Sequence, residues 1–167
     1  WSIFLNPSRL GWVYQTAGIW DDDQARRFGA MSVGAETAGS AIPTSGSATF
    51  SGLWQAFYLS ELGAFADAFA GTFDADVNFS ERSVSFIPTM SALSLYTGQY
   101  SSGLTPSGSL TYDSNTNNLV GTFSSNDGTM NGPAVGRFYG PDANEIGGIF
   151  DLTGSSQLMT GSFGGKR

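Results

Sequence analysis

The sequence predicts an all-β protein, a small closed barrel of up-and-down strands, and three observations carry the prediction. A Gly-x-Phe unit recurs at 136–138, 148–150 and 161–163, with starts 12 and 13 residues apart, the length of one strand plus one turn. Residues 69–79 alternate strictly, with Phe69, Gly71, Phe73, Ala75, Val77 and Phe79 on one face against Ala70, Thr72, Asp74, Asp76 and Asn78 on the other. Glycine makes up 23 of 167 residues and charged residues only 13%, which disfavours helices and favours turn-rich strands.

The chain is long enough to bury a core as one domain with a small annex. Residues 1–46 form the expected annex, with Trp1, Phe4, Trp12, Tyr14 and Trp20 spread through short segments. Within it Asp21 to Arg27 reads as a charged connector and Ala35 to Gly46 as a small-residue loop around Pro43, so the barrel is expected to occupy 47–167. Residues 53–70 fit helical spacing through Trp54, Phe57, Tyr58, Glu61, Leu62, Phe65 and Phe69. The alternation of Phe50, Gly52, Trp54, Ala56 and Tyr58 instead favours two strands joined near Glu61 to Gly63. The first of these strands is apolar on both faces, so its outer face needs a cover, and the aromatic annex is the candidate.

After the acidic strand 69–79, a turn at Ser80 to Arg82 leads into Val84 and Phe86. Met90 to Thr105 is the longest expected loop, unless Leu93 and Leu95 continue a strand and only Gly98 to Gly108 loops out. Asp113 to Asn118 and Ser125 to Gly128 read as turns flanking a strand through Leu119, Gly121 and Phe123. Further Gly-x-Phe copies stand at 63–65, 71–73 and 121–123. Each unit puts a glycine and a ring on one strand face, where the ring can cover the gap the glycine leaves.

Two stretches carry a resemblance. Gly136-Arg-Phe-Tyr-Gly-Pro-Asp-Ala-Asn-Glu-Ile-Gly-Gly-Ile-Phe150 with Gly161-Ser-Phe-Gly-Gly-Lys-Arg167, and Ile42-Pro-Thr-Ser-Gly-Ser-Ala-Thr-Phe-Ser-Gly-Leu-Trp54, resemble the β-barrel domain of the transferrin-binding protein B superfamily of Gram-negative surface lipoproteins. The resemblance covers about residues 28–167. It implies an eight-stranded antiparallel barrel beside a small N-terminal handle sheet, the chain corresponding to one lobe with a partial handle. It also implies a place on the outer-membrane surface or in the medium, and a role in binding, with iron or haem acquisition first among the family's roles. Two other readings remain: an accessory subunit docking on a larger surface or membrane assembly, and a lipoprotein that binds a host regulator.

The residues themselves narrow the chemistry. There is no histidine or cysteine and Lys166 is the only lysine, so the common nucleophile–base pairs are missing and no enzyme is expected. Asp74 and Asp76 stand roughly 7 Å apart along one strand face, where a solvated surface is preferred to glycosidase chemistry. No cofactor or metal site is expected. Zinc of the usual kind lacks ligands, haem could use only Tyr, Met or Lys, and Asp21, Asp22 and Asp23 lack the spacing of a calcium loop. A net charge of −7, with Arg82 the only basic residue between Arg27 and Arg137, argues against nucleic acid. Membrane attachment is expected only through a lipid anchor upstream of Trp1.

Binding surfaces are what remain, for a protein partner such as a host iron carrier or an assembly subunit, or for a small ligand. Glu145 could be a binding carboxylate but is expected to cap turn amides, and the inward rings are expected to fill the barrel rather than line a cavity. Trp12, Tyr14 and Trp20 in the annex and Tyr96 and Tyr100 on the long loop are the candidate ligand or partner contacts. Against this stands packing of the annex on the barrel, which accounts for the first three and is preferred.

Overall fold

The computed structural model describes residues 2–22, 24, 27–61 and 66–167. Its barrel is closed by eight antiparallel strands: β4 (Ser47–Leu59), β5 (Asp67–Asn78), β6 (Ser83–Pro88), β9 (Pro106–Thr111), β10 (Leu119–Ser125), β11 (Asn131–Tyr139), β12 (Glu145–Thr153) and β13 (Leu158–Lys166). Each pairs with its neighbour in sequence, and β13 pairs back onto β4, so the topology is up-and-down and no edge of the barrel is left open. A short hairpin, β7 (Ala92–Ser94) and β8 (Tyr100–Ser101), extends β5 beyond the end of β6. Ahead of the barrel stands a three-stranded sheet of β1 (Ser2–Phe4), β2 (Gln15–Asp22) and β3 (Arg27–Gly34), with one helical turn, α1 (Pro7–Leu10), between β1 and β2.

The Gly-x-Phe cadence becomes a cross-strand device. The units of β12 and β13 run antiparallel in register, so that Gly148 faces Phe163 and Phe150 faces Gly161. Gly52-Leu-Trp54 and Gly71-Thr-Phe73 do the same between β4 and β5. A Cβ on Gly71 would meet the Trp54 indole at 2.6 Å, and one on Gly148 would meet the Phe163 ring at 2.6 Å. The ring therefore lies over the glycine of the strand beside it, not over the glycine two residues back on its own strand as the sequence reading supposed. In a barrel this narrow, glycine at these positions leaves room for the rings arriving from the neighbouring strand.

Those rings fill the interior. Phe73 stacks on Phe86 at 4.3 Å, Phe86 meets Phe123 at 4.7 Å, and Phe163 reaches Phe73, Phe86 and Phe123 at 5.3–5.9 Å. With Phe50, Trp54, Phe138 and Phe150 they form one continuous buried core.

The alternating segment lies in β5 up to Asn78, with Phe79 in the turn that follows and Asp74 and Asp76 outward, taking hydrogen bonds from Ser51 and Thr49 of β4. The strand reading of 50–58 holds in β4, while the Gly63–Phe65 copy and the end of the expected Glu61–Gly63 turn lie outside the described residues. Two readings need correction. The stretch Met90–Thr105 is not a plain loop, since β7 and β8 fall within it; Leu93 lies in β7 but Leu95 does not, and the alternative loop 98–108 also contains β8 and the start of β9. The charged connector is shorter than expected, because β2 runs through Asp22 and β3 resumes at Arg27.

Candidate partner-binding surfaces

The outer face of β4 turns from polar at Thr49 and Ser51 to apolar at Phe57, and the N-terminal sheet covers Phe57. Ile19 of β2 packs with Phe57 and Ala68, flanked by Ile3, Phe28 and Ala30. Phe28 and Phe57 meet edge to face at 5.9 Å. Gln55, also on the outer face of β4, donates to the Ile3 carbonyl at 3.0 Å. Trp12 lies against the barrel wall where Gly164 leaves room for its indole, and only 5% of it is exposed.

Polar links fix the same sheet to the far side of the barrel seam. The buried Glu145 carboxylate accepts from the Val13 N–H at 2.6 Å and from the Tyr14 N–H at 3.2 Å. The Gln15 amide donates to the carbonyls of Ile146 and Gly165 at 2.7 and 3.0 Å. Ser32 Oγ and Tyr139 OH share a hydrogen bond of 3.0 Å, and Thr37 Oγ1 donates to the Gly140 carbonyl at 2.6 Å. Burial raises the Tyr139 pKa, against the lowering effect of the Ser32 hydroxyl. The sheet is thus a fixed part of the barrel surface, and Glu145 caps amides across this junction rather than in its own turn.

Docking one face leaves the other outward. Because side chains alternate, Gln15, Ala17 and Ile19 face the barrel while Thr16, Gly18 and Trp20 face away. Register places Phe4 and Met31 beside Gly18, Gly29 beside Trp20 and Val33 beside Thr16 on that outer face. Phe4 lies over Gly18 and Trp20 over Gly29, flattening two rings on the sheet. Phe4 is 52% exposed, Val33 45% and Trp20 38%. A solvated sheet face normally carries polar residues, so this apolar face is a candidate contact surface.

A second surface lies at the β7–β8 hairpin, where Leu95, Tyr96 and Tyr100 are exposed. Its turn is firmly built. Ser94 N–H donates to the Gln99 carbonyl at 2.9 Å, Thr97 N–H to Ser94 Oγ at 3.1 Å, and Ser94 Oγ to the Asp67 carboxylate at 3.0 Å. Leu95 N–H donates to the carbonyl of Ala68, the residue that Ile19 of β2 packs against. The hairpin and the Trp20 end of the sheet therefore flank the same barrel end.

Of the five candidate residues, the fold brings Trp20, Tyr96 and Tyr100 toward one end. It sends Trp12 and Tyr14 to the other: six residues of strand, about 20 Å, separate Tyr14 from Trp20, and Tyr14 lies against Gly140 beside the Glu145 junction. The five do not form one patch. Phe4, Met31, Val33 and Leu95 were not among the contacts expected from the sequence. Trp20 is the one large apolar side chain that β2 puts outward, and Phe4, Met31 and Val33 reach the same face from β1 and β3 through register. Among the described residues no group of three or more acidic or metal-ligating side chains could hold a metal ion, and no helix is long and apolar enough to cross a membrane.

Residues 42–167 match the family described as the C-lobe and N-lobe β-barrels of Tf-binding protein B. No curated protein matches the sequence. Among solved structures, the chain is similar to transferrin binding protein B from Neisseria meningitidis serogroup B, at 18% identity and a TM-score of 0.69 over 94% of this chain and 32% of that one. A mutant of transferrin binding protein B from Haemophilus parasuis gives 20% and 0.67 over 92% of this chain and 32% of the other. The N-lobe domain of lactoferrin binding protein B from Moraxella bovis gives 11% and 0.63 over 99% of this chain and 79% of that one. At these identities the likeness speaks for the fold, and the chain spans about a third of these two transferrin-binding protein chains.

Proposed function

We propose, because this chain belongs to the family formed by the C-lobe and N-lobe β-barrels of transferrin-binding protein B, that it is a binding lobe on the outer surface of a Gram-negative cell or released from it, capturing a host iron-carrying protein rather than catalysing a reaction. The observation that supports this reading most is the outward face of the N-terminal sheet, the counterpart of the expected handle, where Phe4, Trp20 and Val33 stand exposed on a support fixed by Glu145 and Gln15. Flat rings held by the backbone beneath them lose little side-chain freedom on binding, which suits protein capture. Tyr96 and Tyr100, at the same barrel end, would widen the footprint.

Surface plasmon resonance of the immobilised chain against iron-loaded transferrin and lactoferrin tests this. Binding to one carrier is expected, weakened at least tenfold by Trp20→Ala with an unchanged melting temperature, the behaviour of an interface anchor. Failure to bind either carrier would overturn the function, and binding indifferent to Trp20→Ala would overturn the surface.

A further inference from the structure

The N-terminal sheet is open on one side: β3 pairs with β2 and with no other strand among the described residues. The Ala35 N–H donates to the Tyr14 carbonyl, which fixes the phase of the ladder, so Val33, Met31 and Gly29 bond to β2. The main-chain groups of Ala30 and Ser32 then point away from β2. No other main-chain bond engages them among the described residues.

They face a groove of about 360 Å³ between β3 and the barrel wall. Its floor carries Val135 of β11 and Ile149 of β12, a cross-strand pair with outward side chains, and Val135 is exposed. At one end the groove closes, because Glu36 bridges Tyr139, with Thr37 N–H donating to the Phe138 carbonyl at 3.0 Å and Gly140 N–H to the Ala35 carbonyl at 2.8 Å. Arg137 and Glu36, 3.6 Å apart, sit at that closed end. Near the junction, Gln15 Oε1 is buried without a hydrogen-bond partner and lies against Gly147 together with Ser32 Oγ.

We propose that this groove takes an extended segment of a partner protein, added as a fourth strand on the edge of β3. The chain already uses this mode at the closed end, where its own residues 35–37 lie extended along β11, and the groove continues that junction toward Ala30. Ala30 and Ser32 would supply about four main-chain hydrogen bonds, and an alternate apolar side chain of the guest would rest on Val135 and Ile149. The groove shares Met31 with the outer face of the sheet, but Trp20 itself is not among its lining residues.

Selection of a displayed random-heptapeptide library on the immobilised chain, followed by hydrogen exchange of the complex, tests the proposal. Enriched peptides should alternate apolar residues and slow the exchange of the Ala30 and Ser32 amides at least tenfold. Val135→Lys should weaken them at least tenfold, Ile149→Lys should do the same independently, and Trp20→Ala should leave them unchanged. No enrichment, protection elsewhere, or indifference to both lysine variants would overturn it. So would slowing of the same amides in the free chain as its concentration rises, since the guest would then be a second copy.

Discussion

Glu145 Oε1 lies 2.6 Å from the Val13 nitrogen, across 132 residues of sequence, and the same carboxylate takes the N–H of Tyr14. It is the first residue of β12, buried where the N-terminal sheet meets the barrel. Glu145→Ala leaves two amides without their acceptor and is expected to cost about 2–3 kcal/mol. Urea titration should show this loss, with faster exchange confined to the amides near Val13 and Gln15.

Two tryptophans separate support from surface. Trp12→Ala empties a buried seat on Gly164 and is expected to cost about 3–5 kcal/mol. Trp20→Ala acts at an exposed position and should cost less than about 1 kcal/mol. Thermal melting of the two variants checks the contrast.

The facing of Gly148 and Phe163 predicts a coupling. Gly148→Ala drives a methyl into the Phe163 ring and the backbone of β11, for a cost of about 1–3 kcal/mol. Combined with Phe163→Leu, which withdraws the ring, the double variant should be more stable than the sum of the singles predicts, by at least about 0.5 kcal/mol in a denaturant cycle.

The turn after β10 carries a pH signature. Ser125 Oγ donates to Asp127 Oδ1 at 2.7 Å, and the N–H and hydroxyl of Thr129 reach the same oxygen at 3.0 and 2.8 Å. Ser125 first, then Thr129, holds the Asp127 carboxyl below its usual range. Because the shift is downward, its contribution to stability is present above the unfolded pKa, about 4, and is lost as pH falls through the folded value. Carboxyl NMR should find Asp127 titrating below the usual aspartate range, with Ser125→Ala moving its midpoint upward.

Much of the scaffold was legible because it rests on period-two alternation and on turn residues. β5 could be read from Phe69 to Phe79 alone, and β10 from the turns that bracket it. What stayed hidden depends on pairing. Pro106-Ser-Gly-Ser is turn-like by composition, yet it is a strand, because Phe123 of β10 needs Gly108 beneath its ring. The partner of each ring was likewise invisible, since register across strands is set by closure and not by any one segment. For the candidate surface, Trp20 could be picked out as a large ring in a short segment, but Phe4 and Val33 join it only through the register of β1, β2 and β3. Trp12, equally prominent in the sequence, ends inside the junction.

The glycine-to-ring pairing also governs how the barrel can change length. Shifting β13 by one residue against β12 would take Phe163 off Gly148 and turn every inward side chain outward. A shift of two keeps the faces but brings Phe163 opposite Phe150 or Ile146, where no gap exists to receive it. Insertions of one residue or of two inside these strands therefore both break the pairing, and size variation is expected in the connections, such as the β7–β8 hairpin. The inward face of the wall works as a combination lock with one setting, which leaves change to the outward side chains and the tips.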